Sequence, residues 1–250
     1  MTRFHLVRIV AVLLGAVAWA RGGLPWLLAV GAALVAIIAL GVVRPQLRLF
    51  GPYVCRGAGL RRRVALTFDD GPDAHSTPAL LDLLRADGAK VAFFCVGKRV
   101  AEHPELAARI VREGHMLENH SYTHDNLTNL FSFSRLRTEL TQTQETIQRA
   151  TGIVPRCFRP PMGLSNPRVF RAARRIGLTV VGWSTRGMDT KFTDPDQIVA
   201  RVVRRLGPGA IILLHDGNIP AERLVLTVKR LLDTVRALEY EVVRLDQLLP

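Results

Sequence analysis

Cysteine is nearly absent. Cys55, Cys95 and Cys157 stand far apart in 250 residues, too few and too widely spaced for a disulfide framework. Cys95 and Cys157 lie in strand-like runs and read as small core residues. Aromatic residues are scarce too, at 6%. No basic patch interleaved with aromatics occurs, and no zinc-finger spacing, so the usual marks of a nucleic-acid surface are missing. No Gly-rich fingerprint follows the first strand-like run, which argues against a dinucleotide fold. There is no repeat of fixed period and no low-complexity tract. Acidic residues are the minority, 21 against 34 basic ones, and the formal net charge is +13. Arginine dominates the basic set and is scattered, which suits anionic lipid or an anionic glycan at least as well as nucleic acid.

What is present begins with a long apolar stretch. Leu24–Val43 carries no charge over twenty residues and is flanked by Arg21 and Arg44. That is long enough to span a bilayer. Residues 9–20 are apolar as well, but shorter. They read either as a second span, with Arg21-Gly22-Gly23 as the turn of a hairpin, or as the apolar part of a signal peptide ending at Ala18-Trp19-Ala20. Trp19 and Trp26 suit a membrane interface. Two spans would place both ends in the cytoplasm, whereas a single span with the amino terminus inside would place the rest outside. Residues 1–43 are therefore expected to anchor the chain to a lipid bilayer. Residues 44–62, with Pro45, Pro52 and several glycines, read as a linker.

From residue 63 to 250 strands and helices alternate. Strands are expected at 64–68, 90–96, 115–118, 156–158, 178–182, 210–214 and 241–244. Helices are expected at 77–85, 104–112, 134–149, 167–175, 195–206 and 221–238. Such alternation implies an α/β fold with a parallel sheet and right-handed crossovers. Seven short strands favour a distorted (β/α) barrel over an open sheet. Chemistry in such folds gathers at the carboxyl ends of the strands.

The first strand ends in Asp69-Asp70-Gly71. Two adjacent carboxylates at the end of a buried strand repel each other and need a counter-charge. A solvated turn would also explain them, but His120-Ser121-Tyr122-Thr123-His124 supplies two imidazoles. Spacing i, i+4 brings both to one side of a helical turn. Two imidazoles and one carboxylate with open positions outline a hydrolytic zinc site. Arg159, Asp189 and His215 also fall at strand ends. Ser121 and Thr123 read as hydrogen-bonding supports of the metal loop. His115 reads as a packed strand-start residue, and Asp216 as a cap of the turn after His215.

Four segments complete the pattern: Lys90–Gly97 (KVAFFCVG), Gly114–His124 (GHMLENHSYTH), Arg159–Gly163 (RPPMG) and Pro208–Asp216 (PGAIILLHD). With Thr67-Phe68-Asp69-Asp70-Gly71, they resemble the NodB-type polysaccharide deacetylases, carbohydrate esterase family 4, over about residues 63–248. The resemblance implies metal-dependent removal of an acyl group from an amino sugar. By the same resemblance Asp69 would be the general base and Asp70, His120 and His124 the metal ligands. Arg159 would orient Asp69, and the backbone N–H of Met162 would help stabilise the oxyanion. Leu213 would line the acyl pocket, and His215 would be the general acid with Asp189 as its partner. Zinc is the expected metal, with manganese, cobalt or iron as substitutes. Pro161, Trp183 and Arg186 are expected on the substrate side, although the Trp183 ring also suits the core.

Two departures from the family pattern stand out. Met162 occupies a position commonly aromatic. In Trp183-Ser184-Thr185-Arg186-Gly187-Met188-Asp189-Thr190 only the second aspartate of the family's Asp-x-x-Asp-Trp remains. Arg186 replaces the first aspartate and Thr190 the tryptophan. Arg186 then either meets an anionic group of the substrate or pairs with Asp189. The expected substrate is an N-acylated amino sugar of a cell-envelope polysaccharide or glycolipid, with no nucleic-acid partner. The alternatives are deacylation or deformylation of a lipid-linked amino sugar, and a catalytically silent, membrane-anchored glycan-binding protein.

Overall fold

The computed structural model describes residues 2–59 and 61–249. Two helices come first, α1 (Arg3–Gly22) and α2 (Leu24–Val43), joined through Gly23 at φ 66°. Glycine is suited there because a Cβ disfavours the left-handed region. Each helix has 20 residues, about 30 Å at 1.5 Å per residue. Both are long and apolar enough to cross a membrane. Their apolar side chains face outward, among them Val12, Leu13, Trp19, Trp26 and Val35. The start of α1 lies beside the end of α2. The Phe4 N–H donates to the Leu49 carbonyl at 2.9 Å, and the rings of Phe4 and Phe50 meet edge-on at 5.3 Å.

Strand β1 (Arg63–Asp69) is the centre of the remaining chain. It is followed by α3 (Thr77–Asp87), β2 (Ala92–Cys95), α4 (Gly97–Glu102) and α5 (Pro104–Arg112). Then come β3 (Met116–Asn119), α6 (Phe133–Thr151), β4 (Cys157–Phe158), α7 (Pro167–Arg175) and β5 (Thr179–Val180). The last elements are β6 (Thr185–Arg186), α8 (Pro195–Val203), β7 (Ala210–His215), α9 (Ala221–Ala237) and β8 (Glu241–Val242). The strand order is β5-β4-β3-β2-β1-β7-β6, with β8 alongside the start of β1, and every pairing is parallel. The sheet curls into a distorted (β/α) barrel. Strand β6 was not expected; it is two residues long and polar, too short to leave a period in the sequence. Helix α4 also goes beyond the expected elements.

Side-chain alternation along β1 builds two layers. Val64, Leu66 and Phe68 point outward and pack with Leu81, Phe93 and Val228 beneath the helices. Ala65 points inward with Ala92, Phe94, Cys157 and Ile211. The same alternation carries Thr67 and Asp69 to the inner face of β1, and Leu213 and His215 to that of β7. Thr67 pairs in register with Leu213 and Asp69 with His215.

Part of the 44–62 stretch is built into this domain. Val54 bridges Val181 just beyond β5, and Arg56 bridges Ala210 at the start of β7. Tyr53 and Cys55 are buried. The segment thus links the end of β5 to the start of β7.

Candidate active site

Strand ends and the loops after them deliver the functional side chains to one mouth of the barrel. A cavity of about 280 Å³ is lined there by Asp69, Asp70, His120, His124, Leu213 and His215, with Met162, Trp183 and Arg186 on its rim.

Were Asp70 to continue β1, its side chain would point to the face opposite Asp69. Its φ of 74° breaks that alternation. Asp70 Oδ1 then lies 3.4 Å from His120 Nε2 and 3.2 Å from His124 Nε2. Gly71 allows the turn, because a Cβ there would overlap the buried Asp216 carboxylate. Asp216 is not a turn cap: its side chain accepts from the Thr77 hydroxyl at 2.7 Å. Burial pushes its carboxyl up to about 7.

His120 and His124 converge as expected, with ring centroids 4.9 Å apart. They do so from a loop, not from a helical turn. Ser121 and His124 adopt left-handed φ of 64° and 52°. Side chains take the N–H groups that a helix would have used. Asn119 Oδ1 accepts from Ser121, Glu139 Oε2 accepts from Tyr122 and Thr123, and Ser121 Oγ accepts from His124. The His120 Nδ1–H donates to the Arg159 carbonyl at 2.7 Å. A carbonyl only accepts, so this bond sets the tautomer and turns the Nε2 lone pair toward Asp70. Asp70, His120 and His124 offer ligand atoms all within 4.8 Å of one another. A carboxylate and two imidazoles, one with its tautomer preset, suit a divalent ion of the zinc type. Burial disfavours the charged form of Asp70, but the two imidazoles outweigh it and hold the carboxyl far below its usual range.

Arg159 is fully buried beneath the site. Its Nη1 donates to Asp69 Oδ1 at 2.6 Å and to Thr67 Oγ1 at 2.9 Å, and its Nη2 donates to the Gly182 carbonyl at 2.8 Å. The guanidinium lies 4.0 Å from the centroid of the Phe94 ring. Asp69 Oδ1 is thereby occupied, and Oδ2 is the free oxygen, 3.8 Å from His120 Nε2.

Across the cavity, Asp189 accepts from the His215 Nδ1–H at 2.9 Å and from the His215 backbone N–H at 2.7 Å. The ring is therefore fixed with Nε2 as its free nitrogen. Burial alone would lower the His215 pKa, but the Asp189 carboxylate outweighs it and carries the group up to about 9.

Some expected residues are placed differently. Pro161 is buried and does not line the cavity, whereas Met162, at φ 58°, is 63% exposed on its rim. Arg186 does not pair with Asp189, because β7 has already engaged that carboxylate through His215. Trp183 is half-buried: it packs on the inner core and still lines the cavity. His115 does not line this cavity and accepts from the Val91 N–H through Nδ1. Met188, Thr190 and Lys191 also line the cavity without having been assigned a role from sequence. Asn119 and Glu139 were missed as supports. Glu139 sits on an ordinary amphipathic helix, and no local pattern marks it.

The chain as a whole is similar to several known proteins. A family model described as polysaccharide deacetylase matches residues 56–181. The chain belongs to the polysaccharide deacetylase family. It is 38% identical over 180 residues to a chitooligosaccharide deacetylase of Bradyrhizobium sp. (strain ANU 289), covering 72% of this chain and 82% of that protein. It is 35% identical over 192 residues to the peptidoglycan-N-acetylglucosamine deacetylase PgdA of Listeria monocytogenes, covering 76% of this chain but only 40% of that longer protein. The solved Bc1960 peptidoglycan N-acetylglucosamine deacetylase superposes with a TM-score of 0.74 at 30% identity, covering 79% of this chain and 92% of that one. A mutant of BA3943, a CE4 family pseudoenzyme with restored enzymatic activity, gives 0.74 and 30%, covering 80% and 71%. This polysaccharide deacetylase is an amidohydrolase of the type that acts on carbon–nitrogen bonds other than peptide bonds.

Proposed function

We propose that this chain is a membrane-tethered, divalent-metal-dependent deacetylase of N-acetylglucosamine units in a cell-envelope glycan or its precursor. One observation carries the reading. The free oxygen of Asp69 and the free nitrogen of His215 face one cavity beside the Asp70–His120–His124 cluster. A protein that only bound glycans would have no need of a base, an acid and a ligand set in one place.

Asp70, His120 and His124 would hold the metal. When bound, the ion supplies Lewis acidity, which makes water a nucleophile near neutral pH and polarises the amide carbonyl. Asp69, through Oδ2, takes the proton of the attacking water, and Arg159 keeps its other oxygen engaged. His215 is protonated at neutral pH and gives its Nε2 proton to the departing amine nitrogen. That transfer matters because an amide anion is a very poor leaving group. Asp189 positions the ring. The Met162 N–H supports the oxyanion, Leu213 borders the acyl group, and Trp183 and Arg186 face the sugar.

Residues 1–43 would form the tether. Two spans joined at Gly23 put the amino terminus and the catalytic domain, residues 63–250, on one side. By the positive-inside rule, Arg3, Arg8, Arg44 and Arg48 near that end would favour the cytoplasmic face. A reporter fused to the carboxyl terminus reads the side directly, and extracytoplasmic activity would overturn the two-span assignment.

The activity is tested by acetate release from N-acetylglucosamine oligomers by the full chain, with zinc, with chelator, and with Asp70→Asn. Zinc-dependent release that Asp70→Asn abolishes is the expected result. Metal-loaded protein that releases no acyl group from any amino sugar would overturn the proposal in favour of a silent binding protein.

A further inference from the structure

A second, larger cleft of about 580 Å³ adjoins the catalytic cavity. The two share the walls formed by Met162, Gly163, Trp183, Arg186 and Met188. Its far side is the end of α2, where Val43 closes the helix and Arg44 caps it. Five arginines line it, Arg44, Arg186, Arg201, Arg204 and Arg205, and no carboxylate does.

Outside the cleft a minority of the arginines are neutralised at close range, as Arg63 is by Glu241, Arg109 by Asp82 and Glu113, and Arg244 by Asp246, so it is the gathering of five in one cleft that stands out. Among the described residues none of the five cleft arginines has a carboxylate within 4.0 Å. Arg201 is the most telling. Its guanidinium is stacked 3.7 Å from the centroid of the Phe192 ring, and its Nε is buried without an acceptor. Arg159 and Arg223 also carry a buried Nε without an acceptor, but Arg201 does so in the wall of an open cleft, where an anionic ligand would supply one. The carboxyl end of α8 contributes roughly half a negative charge near Arg201, Arg204 and Arg205. That leaves most of five positive charges unbalanced.

We propose that this cleft binds the phosphate of the substrate, an N-acetylated amino sugar joined through a phosphate or pyrophosphate to a membrane lipid. The inference rests on the deacetylase reading above and names the substrate class of that site. Guanidinium forks match phosphate oxygens in pairs, and several together suit a group of more than one charge better than a single sugar carboxylate. Placement supplies the rest. The sugar occupies the catalytic cavity, the phosphate lies between Arg186 and Arg201, and the lipid runs along α2 from Arg44 into the bilayer. A domain on the cytoplasmic face reaches a lipid-linked precursor, whereas a finished wall polymer lies across the membrane.

The test uses the full zinc-loaded chain in nanodiscs of neutral phosphatidylcholine. Three substrates are compared: polyprenyl-phosphate-linked N-acetylglucosamine, N-acetylglucosamine 1-phosphate and neutral chitotetraose. In the triple variant Arg201→Gln, Arg204→Gln, Arg205→Gln, the kcat/KM for the lipid-linked sugar should fall roughly 10–100-fold relative to that for chitotetraose. That is about the loss of one charge-assisted hydrogen bond. An unchanged ratio would overturn the proposal. So would a fall confined to N-acetylglucosamine 1-phosphate, which would remove the lipid linkage. Dependence on added phosphatidylglycerol, equal for all substrates, would assign the arginines to bilayer headgroups instead and also overturn it. Equilibrium binding of the lipid-linked sugar to Asp69→Asn protein, with and without the triple change, gives a readout free of turnover. Its Kd should rise by a similar factor. Failure of the wild type to deacetylate any of the three substrates would instead count against the deacetylase reading itself.

Discussion

Arg159 Nη1 holds Asp69 Oδ1 at 2.6 Å and so leaves Asp69 a single free carboxylate oxygen beside His120. Asp69→Asn keeps the shape of that side chain and removes its basicity. Turnover should fall roughly 100- to 10,000-fold, the usual range for loss of a general base. Metal content, measured by elemental analysis, should stay at the wild-type level. Full activity would remove Asp69 from the mechanism.

The same pair is a structural element. Both partners are buried, and removing one strands the other, which typically costs about 3–5 kcal/mol. Arg159→Met should therefore lower the urea midpoint sharply. Adding Asp69→Asn to it should recover part of the loss, since the stranded charge is gone. A strictly additive double variant would show that the two are not coupled.

Activity should depend on pH through His215. Its folded-state pKa is raised to about 9, so the acid form persists through neutrality and is lost as pH rises past that value. The linkage has the same sign. The His215–Asp189 bond contributes fully to stability below the unfolded value of about 6.5 and fades as pH rises through about 9. Asp189→Asn should move the alkaline fall of kcat to lower pH. An unmoved alkaline limb would mean another group sets it.

Glu139 receives the N–H groups of Tyr122 and Thr123 and the Thr123 hydroxyl. It touches no ligand atom, yet it shapes the loop that carries His124. Glu139→Gln should weaken zinc affinity roughly 10–100-fold, as losses of outer supports do. Kcat at saturating zinc should change much less. Calorimetry separates the two, and unchanged affinity would confine Glu139 to packing.

Much of this site is legible in the sequence because alternation is a rigid rule. Once 64–68 is read as a strand, Asp69 must share a face with Ala65 and Thr67, and the run ending at His215 behaves likewise. Supports that cross between elements are not legible in that way. Glu139 is brought to the histidine loop by helix packing, and nothing near it in sequence signals that. The spacing of His120 and His124 suggested a helical turn, yet a loop with two left-handed residues satisfies the same spacing. For Arg186 the sequence left open a pair with Asp189, three residues on, or contact with an anionic substrate group. Extended β6 and the prior hold of His215 on Asp189 separate them. The two-residue β6 itself leaves no period to detect.

Arg159 serves the site twice, by two different parts. Its side chain governs Asp69, while its peptide carbonyl fixes His120. Only the first of these can be altered by a codon change. The backbone role survives any substitution that leaves the fold intact. The two contributions of this one residue, the hold on Asp69 and the orientation of His120, can therefore be lost separately in a lineage of this domain.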